Sequence, residues 1–395
     1  MQKSVRRDGF LRRFLLPIVI GAVVVLSAAA CGDDEAAPAA TTAAPAATAA
    51  APASDGPLKV AFLYSGPVDD MGWTQSFDEA RQELESIFGD RIETTYKENL
   101  WDASMITQVM NQAILDGADV IVGTSYEGGQ PQMELAAEHP DVYQVVSQWD
   151  NPGGLDNFVG YVNAPEDGAY ISGVAAGHLM GEGETAGWVD AFPIPYDIRT
   201  INAFALGLTH SNPTATVRVV FTNDWNDVSL MTQASLSLID SGVTFLASSM
   251  GGPAIGEPAE SAGIPHAGTY FDARPYAPEM AVMSAQYTWA PMLEEIMQSI
   301  LDGNFDTSFK YEGMSDGAIS LTDWGPLYDT LSAEAQADIE AELQRVASTP
   351  GSVFIGPLVD IHGEVRAAEG EVLDVAALRS MSWVLPNVEG VETSE

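Results

Sequence analysis

The sequence predicts an α/β protein with two lobes, each a mostly parallel sheet flanked by helices, and a cleft between the lobes. Short apolar runs rich in β-branched residues alternate with helical stretches of about 10–15 residues, the pattern of βαβ units in a parallel sheet. The same pattern starts a second time near residue 186, which predicts a second sheet of the same kind.

The first half contains the first set of βαβ units. Strands are predicted at 59–64, 92–98, 120–125, 142–148 and 158–162, and helices at 73–88, 104–116 and 131–138. Ligands bind beyond the carboxyl ends of the strands in such sheets. The segments that follow the strands, at 65–76, 123–130 and 148–151, are therefore candidate binding segments.

The second half repeats this alternation after a connecting helix. The helix at 168–180 carries Gly173, Gly177 and Gly181 at four-residue spacing, which favours close packing of a crossover helix. Beyond it, strands are predicted at 186–192, 217–222, 245–249 and 266–270, and helices at 195–210, 230–241 and 254–262. A strand at 280–287 and a helix at 289–301 are expected to return the chain to the first lobe. The tail beyond about residue 304 contains one clear helix, at 332–347.

The first thirty residues have the three parts of a secretory signal: basic residues at 3–13, an apolar run from Phe14 to Leu26, and small residues before Cys31. A membrane-spanning anchor is the alternative, since residues 14–30 approach the minimum length for spanning. The single cysteine of the chain at the expected cleavage position favours the signal, and paired arginines hint at a twin-arginine export route. Residues 31–56 are rich in Ala, Thr and Pro and are predicted to be a tether.

The charge balance excludes nucleic acid as a partner. The chain has 16 basic and 56 acidic residues, and five of the basic residues precede residue 31. Nucleic-acid binding needs Lys and Arg to neutralise phosphates, so a surface this negative repels nucleic acid.

The sequence predicts no catalytic, metal-binding or cofactor-binding site. The five histidines are scattered without metal-ligand spacing, and no Lys lies in a Gly-rich phosphate loop. The run Gly313-Met314-Ser315-Asp316-Gly317 matches the hydrolase pattern G-x-S-x-G, which requires a strand before it and a helix after it. Extended segments on both sides predict a turn instead. The chain is therefore predicted not to be an enzyme, to bind no metal and to need no cofactor.

Aromatic and acidic residues mark the loops after the strands. The first loop places Asp70, a flexible Gly72 and Trp73 at the mouth of the predicted cleft. The second half offers Phe192 and Trp225 at its own strand ends, and an aromatic ring there can stack on a planar ligand. Core packing is the alternative role for each ring.

Together these segments resemble the basic membrane protein family of ABC-transporter solute-binding lipoproteins, the PnrA-like purine nucleoside binders. The resemblance extends from Leu58 to about Val388 and depends on the order and spacing of several pieces: 59–64 with 66–73, 93–99, 188–195 with 201–207, 223–225 and 380–383.

The resemblance implies a type I periplasmic-binding-protein-like fold, a lipid anchor on Cys31, and delivery of a ligand to a membrane permease. It also implies that a purine is gripped between aromatic rings of the two lobes, Trp73 and Trp225, with Phe192 beside the second. Further ligand-binding residues carried over in this way are Asp70, Met71, Thr74, Tyr126 and Asp272, the last as a partner for ligand hydroxyls. Many nucleoside binders have Phe-Asn where this chain has Trp73-Thr74, so a free base such as adenine is a candidate beside a nucleoside.

These expectations define the predicted organisation and function. The domains are 1–30 (signal), 31–56 (tether), 57–165 (first lobe, with part of 283–395 returning), 166–282 (second lobe) and 283–395 (crossover and C-terminal segments shared by the lobes). The function is that of an extracytoplasmic, lipid-anchored binding component of an ABC importer for a purine nucleoside or base. The alternatives are another small solute, such as a sugar or amino acid, on the same scaffold, and a ligand sensor for a membrane receptor.

Overall fold

Two sheets organise residues 56–151 and 153–392, the part of the chain that the computed structural model describes, which lies in one compact unit. The predicted signal, Cys31 and all but the last residue of the predicted tether lie outside these residues. The first sheet has six strands, and every paired neighbour is parallel. In chain order they are β1 (Leu58–Leu63), β2 (Ile92–Lys97), β3 (Val120–Gly123), β4 (Tyr143–Ser147), β5 (Phe158–Asn163) and β11 (Lys310–Glu312), and their spatial order is β11-β5-β4-β3-β1-β2.

The second sheet has seven strands and one antiparallel pair, β10 with β12. Its strands are β6 (Thr185–Asp190), β7 (Thr216–Phe221), β8 (Phe245–Ser248), β9 (His266–Thr269), β10 (Ala281–Tyr287), β12 (Ile319–Leu321) and β15 (Val388–Glu389), in the spatial order β12-β10-β9-β8-β6-β7-β15. A separate short hairpin pairs β13 (Leu358–Val359) with β14 (Val365–Ala367).

Nine helices lie close to their predicted bounds in the described residues: α1 (Trp73–Phe88), α2 (Ala103–Leu115), α3 (Gly129–Glu138), α4 (Pro165–Leu179), α5 (Pro195–Ser211), α6 (Val228–Asp240), α7 (Pro253–Ala262), α8 (Ala290–Leu301) and α9 (Ala333–Ser348). A further short helix in the tail, α10 (Val375–Arg379), was not predicted. Side chains that accept backbone N–H groups set several helix starts, since Asp102 caps α2, Asp227 caps α6 and Ser332 caps α9. None of the helices in the described residues combines the length and apolar character needed to span a bilayer.

The chain passes between the two sheets three times. Strand β5 leads into α4, which packs against α5 and β10, so the second set of βαβ units begins here. The strand predicted at 280–287 to return the chain to the first lobe is β10, but it pairs with β9 and β12 of the second sheet, so the chain leaves that sheet only after it. Helix α8, which follows, packs in one hydrophobic cluster with β1 and α1. The chain then crosses again between β11 and β12. We call the first sheet with α1–α3 and α8 lobe 1, and the second sheet with α4–α7, α9 and α10 lobe 2. We refer to these three connecting segments together as the hinge.

Glycines bring α4 and α5 into close contact, as their spacing predicts. A Cβ on Gly173 would lie 2.1 Å from the Phe204 carbonyl oxygen, and one on Gly207 would lie 2.0 Å from the Tyr170 carbonyl oxygen. Gly177 meets the end of α5 in the same way. No larger residue fits at these positions unless the helices move apart.

The tail packs on lobe 2 and touches lobe 1. Ile339, Phe354 and Trp383 belong to the core cluster of α4 and α5, and β15 extends the second sheet beside β7. Arg379 at the end of α10 donates to the Gln148 carbonyl oxygen and pairs with Asp150, both in lobe 1. The Gly313–Gly317 run lies between β11 and β12, as predicted, and forms one short 3-10 turn at Met314–Asp316 followed by a strand, not the α-helix that the hydrolase pattern requires after its serine.

Candidate functional site

Loops at the carboxyl ends of strands in the two sheets meet at a boundary between the lobes. The loop after β1 touches the loop after β8, backbone against backbone. A Cβ on Gly251 would lie 2.3 Å from the Met71 carbonyl oxygen and 3.1 Å from Gly72 Cα. The ring of Tyr270, after β9, packs on both Gly72 and Gly251. The lobes are therefore closed on each other here, in the region where parallel sheets bind ligands.

Trp73, at the first position of α1, forms the lobe 1 side of this boundary. Its indole Nε1 donates to the Thr124 carbonyl oxygen after β3 at 2.9 Å, which fixes the orientation of the ring. The ring lies edge-on to Phe77 and Trp289, which are stacked with centroids 4.2 Å apart. Across the boundary it meets Tyr196 of lobe 2 at 5.9 Å with perpendicular planes. Two aromatic rings from different lobes thus contact each other in an edge-to-face arrangement.

Tyr196 also connects to the hinge through hydrogen bonds. Its hydroxyl donates to Asn163 Oδ1 at 2.9 Å, at the end of β5. Beside it, Arg199 forms a buried ion pair with Glu166 at 2.9 Å and donates to the Asn163 carbonyl oxygen. The Tyr311 hydroxyl, on β11, donates to the other oxygen of Glu166. This cluster joins two of the three crossovers, so the position of Tyr196 is coupled to the hinge.

Several buried polar atoms at the ends of β4 and β5 have no hydrogen-bond partner among the described residues. They are Ser147 Oγ, Gln148 Nε2, Tyr161 OH and Asn163 Nδ2. Ser147 and Tyr161 are paired across the parallel strands, and Tyr161 and Asn163 are two residues apart, so these three side chains share one face of the sheet. That face carries the Phe77–Trp289 stack. An unpaired buried polar group costs about 1–3 kcal/mol, so each is a position where a ligand atom would be stabilising.

Lobe 2 contributes a pair of buried carboxyl groups on the same side as Tyr196. Asp190, at the end of β6, accepts hydrogen bonds from the indole of Trp188, the backbone of Ala191 and the hydroxyl of Ser249. Burial raises the pKa of Asp190 to about 6 despite these donors. Asp197, in the first turn of α5, has among the described residues only a 3.5 Å contact from Ser249 on Oδ1 and no partner on Oδ2.

The structure places Asp70, Met71 and Thr74, predicted from the sequence, in the turn that starts α1. The Asp70 carboxylate accepts the backbone N–H groups of Gly72, Thr74 and Gln75, so it stabilises the helix start. Thr74 is buried, and its hydroxyl accepts the Gly66 N–H. Met71 has a positive φ of 53° and places its carbonyl against Gly251. The turn thus positions Trp73 and the lobe contact.

The other predicted aromatic residues form two further pairs. Phe192 and Trp225 contact each other at 5.5 Å and pack on the cluster of α6 and α7, whereas Trp73 packs on the cluster of α1 and α8. Tyr126 is largely exposed, and its ring contacts Trp149 at 5.2 Å. The clamp of Trp73 and Trp225 stays a prediction, and Tyr196 is the ring from lobe 2 that meets Trp73.

Asp272, the predicted partner for ligand hydroxyls, holds Arg274. The guanidinium donates to both carboxylate oxygens, with the closest approach at 2.6 Å, and this interaction lowers the pKa of Asp272. Its oxygens are therefore engaged by a neighbour two residues along the chain.

The described residues contain no group of three or more His, Cys, Asp or Glu with the geometry of a metal site. Two histidines do converge on one carboxylate, because His178 and His210 both contact Asp338 of α9. These two contacts connect α9 of the tail to α4 and α5. His266 is buried, and burial lowers its pKa to about 4.

Sequence reasoning missed Tyr196, Asp197 and Asn163 at the lobe boundary. The sequence pattern points to loops after strands, whereas Tyr196 and Asp197 lie in the first turn of a helix and Asn163 is the last residue of a strand. A signal was available, because Asp190 ends a strand and Pro195 starts the next helix five residues later. The first turn of that helix must therefore lie at the carboxyl edge of the sheet.

Two mostly parallel sheets, joined by three crossovers and meeting at a polar and aromatic boundary, define a two-lobed α/β protein. The family model of the PnrA-like ABC transporter substrate-binding proteins, Bmp, matches residues 58–352. The chain belongs to this family, which confirms the resemblance noted from the sequence. Its members are the extracytoplasmic solute-binding components of ABC transporters, which bind small ligands and work with membrane permeases.

Two of the similar proteins are named for different ligands. A purine-binding protein of Brucella abortus is 29% identical over 84% of this chain and 93% of its own length. A putative ABC transporter glucose-binding protein of Haloferax volcanii is 28% identical over 84% of this chain and 81% of its own. A solved solute-binding protein from Conexibacter woesei superposes with a TM-score of 0.62 at 24% identity, over 74% of this chain and 96% of its own. These likenesses confirm the periplasmic-binding-protein-like fold, and both family and fold are those of solute-binding proteins rather than enzymes.

Proposed function

We propose that this chain captures a purine base or nucleoside at the boundary between its lobes. The observation that carries the proposal is the meeting of Trp73 and Tyr196 across that boundary, next to buried polar atoms without partners at the ends of β4 and β5. An opening of the hinge would separate the two rings and admit a planar ligand between the lobes.

The chemistry of this region fits a purine. A purine has flat apolar faces, which stack on aromatic rings with about 1–3 kcal/mol per base. Its edge carries both donors and acceptors, which pair with groups such as Ser147 Oγ and Asn163 Nδ2. Each buried group that gains a partner recovers about 1–3 kcal/mol, so the edge contacts decide which base binds.

The relatives support this ligand class and one alternative. The Brucella relative is a purine binder by name, and it matches nearly its whole length. The glucose-binding name of the Haloferax relative favours a sugar as the second candidate. Asp272 bears on the choice between base and nucleoside, because its pairing with Arg274 removes the predicted partner of the ribose hydroxyls. A free base is therefore the favoured form of the ligand.

The ligand is most directly tested by thermal unfolding of the purified protein with adenine, guanine, adenosine, guanosine, glucose and a panel of amino acids. A ligand at about 100 times its dissociation constant adds roughly 2.7 kcal/mol to stability, which raises the melting temperature by a few degrees. We expect the largest rise with a purine. A rise with glucose or an amino acid and none with any purine would discard the purine assignment.

The proposed cellular setting is the outer face of the cell membrane, with the protein anchored through a lipid on Cys31. The position of Cys31 after an apolar run and small residues supports this anchor. We expect Cys31→Ser to move the protein from the membrane fraction to the soluble fraction. Retention of the variant in the membrane fraction would contradict the lipid anchor.

A further inference from the structure

Asp197 is a buried carboxyl group whose hydrogen-bonding capacity is largely unused. The residue is 1% exposed, its Oδ2 has no partner among the described residues, and its Oδ1 has a single long contact of 3.5 Å from Ser249 Oγ. An ionised carboxylate in such a place is very costly without donors. The group is therefore stable there only as a neutral acid or with a partner brought from outside.

The neighbouring Asp190 shows which of the two carboxyl groups carries the proton. Asp190 accepts three hydrogen bonds at 2.6–2.9 Å, from Ser249, Ala191 and Trp188. Three donated hydrogen bonds favour the ionised form of Asp190. Two carboxylates this close do not both ionise in a buried site, so the proton resides on Asp197. Asp197 thus holds an O–H group.

The position of Asp197 puts this O–H group at the proposed ligand site. Its neighbour Tyr196 meets Trp73 of lobe 1 and donates to Asn163, whose Nδ2 is also buried and unpartnered. Ser249, which contacts Asp197, lies two residues before Gly251, whose backbone is packed against Met71 of lobe 1. Asn163 Nδ2 of lobe 1 and Asp197 Oδ2 of lobe 2 are both without a partner among the described residues. Tyr196 is hydrogen-bonded to Asn163 and is next to Asp197 in the chain.

We propose that Asp197, in its protonated form, is a specificity-determining residue that donates a hydrogen bond to a ring nitrogen or carbonyl oxygen on the edge of a purine. The inference rests on the proposed function and deepens it, because it assigns a donor in lobe 2 to the recognition of an acceptor atom. A ligand without an acceptor at that edge leaves the buried donor unpaired and binds more weakly.

The electrostatic surroundings agree with a protonated Asp197. Burial and the negative charge of Asp190 raise the pKa of Asp197 well above its usual value, against the lowering effects of Arg199 and Ser249. The titratable and charged groups that interact with Asp197 electrostatically are Asp190 at the end of β6, Tyr196 and Arg199 on α5, Tyr270 after β9 and Tyr287 on β10. Asp70 of lobe 1 in turn interacts with Tyr270.

The experiment measures the affinity of wild type, Asp197→Asn and Asp197→Ala for adenine and for 1-deaza-, 3-deaza- and 7-deazaadenine by calorimetry. Each deaza analogue lacks one acceptor nitrogen. We expect wild type and Asp197→Asn, which keeps an N–H donor, to bind one analogue about ten- to a hundredfold more weakly than adenine. Asp197→Ala should bind adenine as weakly as that analogue and lose the discrimination, the coupling that a double-mutant cycle detects.

The controls separate this proposal from a folding defect and from a wrong ligand class. Ser352→Ala removes another buried oxygen without a partner, in the tail after α9, and should leave every affinity unchanged. If Asp197→Ala keeps the wild-type discrimination among all analogues, the role of Asp197 is refuted while purine capture stands. If the wild type binds glucose but none of the purines, the proposed function falls, and the role of Asp197 with it.

Discussion

Gly251 offers a direct test of the idea that the lobes close on each other to hold the ligand. Its backbone lies against that of Met71 in the other lobe, and φ at this position is not in the left-handed region. A Cβ added by Gly251→Ala would lie 2.3 Å from the Met71 carbonyl oxygen, whereas ordinary contact begins at 3.4 Å. The loops must therefore separate by about 1 Å before the lobes can close.

The size of the effect follows from this overlap. Overpacking costs typically about 1–3 kcal/mol, and here the cost falls on the closed state, so the affinity for the ligand should fall about five- to 150-fold. The Cβ would also lie 2.9 Å from the ring of Tyr270, within lobe 2, and this part of the cost is present in the open state too. The free energy of unfolding without ligand therefore has to be measured beside the affinity.

The assay is calorimetric titration with the purine that stabilises the wild type most, together with urea unfolding of the ligand-free protein. Gly56→Ala is the matched control, because a Cβ there would meet no atom within 4 Å. Wild-type affinity in a folded Gly251→Ala protein would refute the argument that closure at this contact holds the ligand.

Three further predictions concern the rings, the hinge and its pH dependence. Trp73→Ala and Trp225→Ala should each weaken purine binding by about 1–3 kcal/mol, while Trp73→Phe retains most of the affinity; full affinity in both alanine variants would remove the aromatic clamp. Arg199→Met leaves the buried Glu166 unpaired and should lower the free energy of unfolding by about 3–5 kcal/mol, part of which Glu166→Gln in the same chain restores; equal stability of single and double variants would contradict this. Burial and Glu166 raise the pKa of Asp167 to about 7, so its stabilising contribution is full below the unfolded pKa near 4 and is lost as the pH rises to about 7. The stability of Asp167→Asn relative to the wild type should therefore increase across that interval in urea melts, and a constant difference would count against the shift.

The order of strands and helices was predictable because each element has a strong local pattern. The α1 helix begins and ends at the predicted residues, and α8 packs on lobe 1, whereas β10 stays in the second sheet because it pairs there with β9 and β12. Parallel strands buried on both faces are short, nearly continuous apolar runs, and turn residues separate them from the longer helical stretches, so run length and flanking residues are sufficient to define them.

Contacts between the lobes were not predictable from the same patterns. Tyr196 meets Trp73 because three crossovers bring distant segments together, and no local spacing encodes that distance. Asp272 is a case where the partner could have been predicted, because Arg274 is only two residues away in the sequence and forms an ion pair with the carboxylate. The role of a polar residue depends on which neighbouring group forms its hydrogen bond or ion pair. For partners far apart in the chain, only the fold determines this.

The tail was difficult to place for a related reason. Its elements are short, and β13 to β15 have two or three residues each, too few to show a period. They are stabilised by packing on α4 and α5 and by pairing with β7, which are interactions of the complete fold.

A crystal structure of the protein with the purine that raises the melting temperature most would test the central claim most directly. We predict that the base lies between the lobes, against Trp73, with its edge toward Asn163 and Asp197. A base bound away from this boundary, or a structure in which the same cleft holds a sugar, would contradict purine capture between the lobes.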